Sequence, residues 1–350
     1  MNCGILTFHF AHNYGAMLQA YALKHFVENL GHKVTVVDYA STHMRRGYHP
    51  RFRSYLKPTN WGWMWRRREQ YERFETFYRD QLGCCKTTTN YEQAVDAVSP
   101  DVLIVGSDQV WNDHLSLCDE SYFLPLKQGR TIAYAASFGR SHLTDWQEKE
   151  VKQHLTAFDH LSVRETDGAA EVKRLLGQDI PVVLDPVFLL SKDEWLSMTR
   201  APASEQGDYI LYYALRDDPQ LIEKTKRLAQ QEHLPVLAVH PQCIRQKVGT
   251  TLRDVGPLEF LSLIRHAKYV CANSFHAAAF SVLFGTKLVP VPISTKETRV
   301  VSLLEKIGAE EVYRKETADK ESCYELDRLN PSKLNEAILF SKNYLQQALS

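Results

Sequence analysis

Residues 269–290 constrain the fold more than any other stretch of the chain. Tyr269-Val270-Cys271-Ala272 is a β-rich run, Asn273 and Ser274 are both good helix N-caps, and an almost wholly apolar run follows as far as Phe284. Gly285 is a natural helix stop, and Leu288-Val289-Pro290 opens a second strand. A helix that is apolar all round has to be buried, so this strand–turn–helix–strand order predicts a parallel α/β unit. It puts Ser274, Phe275 and His276 at the start of the helix. Unbonded backbone N–H groups and the positive dipole end gather there, an environment that suits phosphate or carboxylate. His276 is then either a proton donor beside a bound anion or a core histidine satisfied by a backbone carbonyl.

The rest of the chain repeats the pattern. Strands are predicted over 3–10, 33–39, 101–106, 130–137, 161–163 and 182–184, with helices over 16–30, 144–156 and 171–176. Residues 200–208 read as a linker, and a second set begins with strands at 209–214 and 235–239 and helices at 219–232 and 257–266. At 350 residues the chain is long for one core. The expected fold class is α/β, with two Rossmann-like doubly wound domains facing a cleft. The expected boundaries are 1–195 and 205–330, with a helix at 331–350 packing back on the first domain. The first loop carries one glycine, Gly15, where a dinucleotide fingerprint needs three, so a dinucleotide site is not expected there.

Charge is balanced at 42 basic and 42 acidic residues, which gives no global field for nucleic acid. It is not evenly spread. Between Arg45 and Arg73 nine Arg or Lys face only Glu69 and Glu72, so that segment is +7 and the remainder −7. The same insertion, residues 41–80, holds Trp61, Trp63 and Trp65. Basic and interfacial aromatic residues together fit peripheral contact with anionic lipid or a polyanionic acceptor, and they also fit an ordinary helical excursion packed on the sheet. Seven cysteines without metal-ligand spacing point to reduced thiols and a cytoplasmic protein. No apolar run is long enough to span a membrane, and the N-terminus reads as a strand.

Other residues sit where α/β sheets bind ligands. Ser107 and Asp108 follow an apolar strand, at the carboxyl end where ligands collect. Asp108 could hydrogen-bond or deprotonate a sugar hydroxyl, or cap the next helix. Arg164 lies between a strand and a helix, placed for a two-point clamp on carboxylate or phosphate, or for a salt bridge to Glu165 or Asp167. Asn13, Tyr14 and Gly15 form a tight loop that could approach a ligand or merely turn the chain. Asp185-Pro186 is expected to fix a turn. Metalloprotease, Walker and serine-hydrolase motifs are absent, and no metal is expected.

Taken in order, Asn13-Tyr14-Gly15, Val105-Gly106-Ser107-Asp108-Gln109-Val110-Trp111-Asn112, Tyr134 to Gly139, Ser162-Val163-Arg164-Glu165, Leu184-Asp185-Pro186 and Asn273-Ser274-Phe275-His276 resemble the polysaccharide pyruvyl transferase family. The resemblance runs over most of the chain and is weakest at 41–80. It implies a glycosyltransferase-B-like fold and transfer of a pyruvyl group from phosphoenolpyruvate to two hydroxyls of a sugar, without a further cofactor. It implies His276 as general acid and Arg164 as donor-binding arginine. Many members carry a second arginine where this chain has Ser274, so the donor phosphate would rest on helix N–H groups or on Lys296 or Arg299. An acceptor on a polyprenyl diphosphate would suit the Arg/Trp insertion. The alternative enzyme class is a nucleotide-sugar glycosyltransferase of the same architecture.

Overall fold

In the computed structural model, residues 1–44, 67–84, 87–124, 129–200, 208–216, 218–240, 247–290, 298–309 and 331–350 are described. Most of the Arg/Trp segment (45–66, with all three tryptophans) and Lys296 lie outside them. Two five-stranded sheets organise the chain. The first holds β1 (Asn2–Leu6), β2 (Lys33–Val36), β3 (Val102–Val105), β4 (Arg130–Ala136) and β5 (His160–Val163) in the order β2-β1-β3-β4-β5. The second holds β6 (Ile210–Tyr213), β7 (Val236–Val239), β8 (Thr250–Leu252), β9 (Tyr269–Ala272) and β10 (Lys287–Pro290) in the order β10-β9-β6-β7-β8. Every strand pair in both sheets is parallel. The central strands β3, β6 and β9 are buried along their whole length. That explains why they read as continuous apolar runs rather than alternating ones.

The helices that cover the sheets are α1 (Tyr14–Asn29), α2 (Arg68–Asp80), α3 (Tyr91–Val98), α4 (Asp145–His154), α5 (Thr166–Leu176), α6 (Lys192–Met198), α7 (Pro219–Glu232), α8 (Pro257–His266), α9 (Phe275–Phe284), α10 (Thr298–Lys306) and α11 (Pro331–Leu349). Their starts are locally encoded: Asp218 and Ser191 accept N-terminal N–H groups of α7 and α6, and Pro occupies the first turn of α7 and α8. Strand β1 is shorter than expected, because residues beyond Leu6 leave the sheet and bond through side chains, as Thr7 does to the Ser107 carbonyl.

In each sheet the chain reverses its direction of growth once. The reversal lies between β1 and β3 in the first and between β6 and β9 in the second. Such switch points open a crevice at the carboxyl ends of the strands. Here they carry residues 7–15 and 106–112 on one side, and 214–216 and 273–276 on the other.

An aromatic cluster joins the two halves. Tyr14 at the start of α1 stacks on Phe260 of α8 with ring centroids 4.3 Å apart and meets Tyr213 of β6 at 5.6 Å and Phe74 of α2 at 4.9 Å. Its hydroxyl donates to the Val255 carbonyl and accepts from Gln70 Nε2. Helix α11 returns to the first sheet: Ser341 Oγ accepts from Leu184 N–H, and Arg130 donates to the Ala348 carbonyl. Leu345 and Ala348 are fully buried there.

Candidate active site

The first turns of α1 and α9 meet at one imidazole. A Cβ placed on Gly15 would lie only 2.0 Å from His276 Nδ1, so the glycine is required by the close approach of the ring. From the same start of α9, Phe275 lies under the Arg164 guanidinium, 4.4 Å from its ring centroid. Arg164 directly follows β5 of the first half, and Phe275 and His276 belong to the second. The site is therefore assembled from both switch points.

Asp185 is the hub. Arg164 Nη1 donates to its Oδ2 at 2.7 Å, and His276 Nε2 faces the same oxygen at 3.5 Å. Ser107 Oγ lies 3.1 Å from it and 2.8 Å from the Ala135 carbonyl. The other carboxyl oxygen accepts Val187 N–H. Burial alone would raise the pKa of this carboxyl, but His276 and Arg164 outweigh burial and hold it well below the usual carboxylate range. Asp185 is thus an anion fixed between two nitrogen donors, a larger role than the turn its sequence suggested.

Three donor atoms in this cluster are buried without a hydrogen-bond partner: Arg164 Nε, Arg164 Nη2 and His276 Nε2. Asp108 Oδ1 lies 3.8 Å from Nη2, beyond hydrogen-bonding range, and instead accepts Gln109 N–H. Asp108 stands in the left-handed region at φ 66°, and its carbonyl accepts Ser137 N–H. Ser274 is the N-cap of α9, yet its side chain makes no cap bond, so the first N–H groups of the helix are not closed off by it.

Several expected contact residues have other employment. Asn13 Oδ1 accepts Gly15 N–H and Ala16 N–H as the cap of α1, Tyr14 is a core residue between the halves, and Gly15 makes room for His276. Asn273 bridges Leu215 N–H and the Arg216 carbonyl, fixing the β6 and β9 ends together. Ser107 is fully buried and serves Asp185. Asn13 Oδ1, Tyr14 Oη, Ser107 Oγ and the Asn273 amide are thus engaged in bonds that hold the loops at the strand ends in place.

The sequence offers Glu165 only as a salt-bridge partner of Arg164. It is fully buried, and its Oε1 accepts from Ser137 Oγ, Phe138 N–H and Gly139 N–H. Burial pushes its pKa up, against Arg164, Ser137 and Arg299, which pull it down. Arg299 is therefore within electrostatic reach of this cluster, brought there by α10, whose Ser302 accepts Thr166 N–H. Among the described residues, the groups spaced for a metal are His9 with Asp38 and Cys84, and Glu120 with Glu150 and His154; neither includes a residue of the Asp185 cluster.

The family model for polysaccharide pyruvyl transferases matches residues 13–295. No curated protein matches the sequence. Among solved structures, the UDP-GlcNAc 2-epimerase from Neisseria meningitidis bound to UDP-GlcNAc is 11% identical, covers 99% of this chain and 98% of its own, and superposes with a TM-score of 0.52. The UDP-GlcNAc 2-epimerase from Methanocaldococcus jannaschii is 11% identical, with 97% and 99% covered and a TM-score of 0.50. At this identity the likeness concerns the fold, which is glycosyltransferase-B-like: two α/β halves, each with a parallel sheet.

Proposed function

The chain belongs to the polysaccharide pyruvyl transferase family, and from that premise we propose that it moves the enolpyruvyl group of phosphoenolpyruvate onto two hydroxyls of a sugar as a cyclic ketal. One observation carries the reading: Arg164 and His276, from opposite halves, present three buried donor atoms without hydrogen-bond partners around one carboxylate. Buried unpaired donors are costly, and a small anion with carboxylate and phosphate would satisfy them.

The chemistry follows from the substrate. His276 Nε2 protonates the methylene carbon, which turns C2 into an oxocarbenium-like centre. A sugar hydroxyl adds to C2 and gives up its proton, with Asp108, beside Arg164, as the candidate acceptor. Phosphate then leaves with the C–O bond electrons, and a second hydroxyl closes the ring. Of the two hydroxyl protons, one restores His276 and the other leaves with phosphate, so Asp108 and His276 both end as they began. Arg164 fixes the donor and opposes its charge, and Asp185 orients both basic groups.

The acceptor we favour is a galactose-containing oligosaccharide on a polyprenyl diphosphate, for capsule or exopolysaccharide assembly at the cytoplasmic face of the membrane. Its support is the basic, Trp-rich run at 45–73. Among the described residues no helix is long and apolar enough to cross a membrane. The test is phosphate release from phosphoenolpyruvate with the matching mass gain on the acceptor. His276→Ala should fold and lose turnover. Near-normal activity in that variant, or turnover with a nucleotide sugar in place of phosphoenolpyruvate, would overturn the proposal.

A further inference from the structure

Away from the cleft, on the outer helix of the first half, a second cluster has unmet bonding. Glu150 and His154 stand one turn apart near the end of α4. The Glu150 side chain is 2% exposed and the His154 side chain 14%. Glu150 Oε2 and His154 Nε2 are both buried without a hydrogen-bond partner, although they face each other at 3.3 Å. Glu120, exposed at the start of a short 3-10 helix (Glu120–Phe123), brings a third ligand atom to within 4.8 Å of both. Lys149 Nζ lies 3.5 Å from the other Glu150 oxygen and leaves Oε2 to the cluster.

We propose that Glu120, Glu150 and His154 bind a divalent transition-metal ion of the zinc class. A tetrahedral ion with bonds of about 2.1 Å holds neighbouring ligand atoms about 3.4 Å apart. The Glu150–His154 separation of 3.3 Å already has that value. Bridging both atoms with one cation supplies the partner each lacks. Glu120 is exposed, so its carboxylate closes on the ion at little cost, and water fills the fourth position. Imidazole with two carboxylates favours zinc over magnesium or calcium, which take oxygen ligands alone. The ion ties the 120–123 turn to α4. The start of α4 in turn buttresses the cleft, because Gln147 Nε2 donates to the Trp111 and Phe138 carbonyls beside the loops of Asp108 and Glu165. The proposal is independent of the chemistry in the cleft.

The rival occupant is a proton, which would make the pair a plain imidazolium–carboxylate contact. The test is calorimetric titration of the chelator-treated full chain with zinc sulfate, and separately with magnesium chloride. Zinc should bind at one equivalent and raise Tm, and magnesium should not bind. Glu150→Gln and His154→Gln should each weaken zinc binding by about tenfold or more. Cys118 is exposed and close enough to Glu150 to feel its charge, so Cys118→Ser is the control and should bind as wild type. Cobalt substitution gives a second readout, in which the visible spectrum should lack a thiolate band. Zinc binding that survives both Glu150→Gln and His154→Gln, that is lost in Cys118→Ser, or that is absent from the wild-type chain would overturn the proposal.

Discussion

Gly15→Ala tests the cleft without touching a reacting group. The new Cβ would sit 2.0 Å from His276 Nδ1, 2.3 Å from Cγ and 2.7 Å from Cε1. Ordinary contact needs about 3.5 Å, so the imidazole or the start of α1 must retreat by about 1.5 Å. The backbone at Gly15 is not left-handed, and alanine is the better helix former by about 1 kcal/mol. Overpacking costs about 1–3 kcal/mol, so the net loss of stability stays within about 2 kcal/mol and the variant folds. The larger effect falls on His276 Nε2, which would leave its place opposite Asp185. Misplacing a reacting group by about 1 Å costs on the order of a hundredfold in rate, or about 2.7 kcal/mol of barrier. Phosphate release from phosphoenolpyruvate with acceptor present should show this loss in kcat/KM while Tm moves by only a few degrees. If Gly15 acts through His276, the double variant with His276→Ala should be no slower than His276→Ala alone. A Gly15→Ala enzyme within about threefold of wild type, or losses that multiply in the double variant, would refute the contact as the reason for the glycine.

Three further outcomes follow from the same structure. Asp185→Asn leaves Arg164 and His276 without the buried carboxylate they share; removing one member of a buried ion pair costs about 3–5 kcal/mol, read as a lower urea midpoint, and an unchanged midpoint would mean the pairing is idle. Asp38 accepts from His9 and Tyr78, and although burial works to raise its pKa these partners lower it from 3.8 to about 2. A depressed carboxylate stabilises the fold above its unfolded pKa and loses that contribution as pH falls, so about 2 kcal/mol should disappear between pH 4 and pH 2. Asp38→Asn should flatten that part of the acid-unfolding curve, and parallel curves would contradict the assignment. Ser341→Ala strands the buried Leu184 N–H next to Asp185 and should cost about 1–3 kcal/mol in thermal unfolding; no change would show that α11 does not hold the Asp185 loop.

Much of this arrangement was legible from local chemistry. The helices at 219–232, 257–266 and 331–349 begin where proline sets the first turn, and the Asn273 to Gly285 unit announces its own ends. What was not legible is instructive. Strand β8 is three residues long, sits on the sheet edge and carries no apolar run. Helix α2 hides in a charged stretch because it is laced by pairs one turn apart, Arg68 with Glu72 and Glu69 with Arg73. Asp185 looked like a turn residue because Asp-Pro favours turns, and it does accept Val187 N–H. Its second role arises only when the Val163–Val182 bridge lays it beside Arg164 and α9 arrives from the other half. The polar atoms of Asn13 and Asn273 were legible as polar, but not which of capping, bridging or ligand contact would claim them.

The charge around Arg164 also bears on which donor the cleft can take. Arg164 is offset by Asp185, Asp108 stands nearby, and burial of Glu165 works against its ionised form. Arg164's own charge is thus largely matched within the cluster, and a polyanionic donor draws further on Arg299, which lies within electrostatic reach, and on backbone dipoles. The two helix starts at the cleft differ in this respect. Asn13 already takes the Gly15 and Ala16 N–H groups of α1, whereas Ser274 makes no side-chain cap bond on α9. In this reading phosphate belongs at the start of α9, beside His276, and the planar pair Nε and Nη2 of Arg164 receives a carboxylate two-point fashion. A nucleotide sugar brings phosphate to the helix but no carboxylate to the arginine. It would leave two buried guanidinium donors unpaired, at about 1–3 kcal/mol each, and enolpyruvyl phosphate would not.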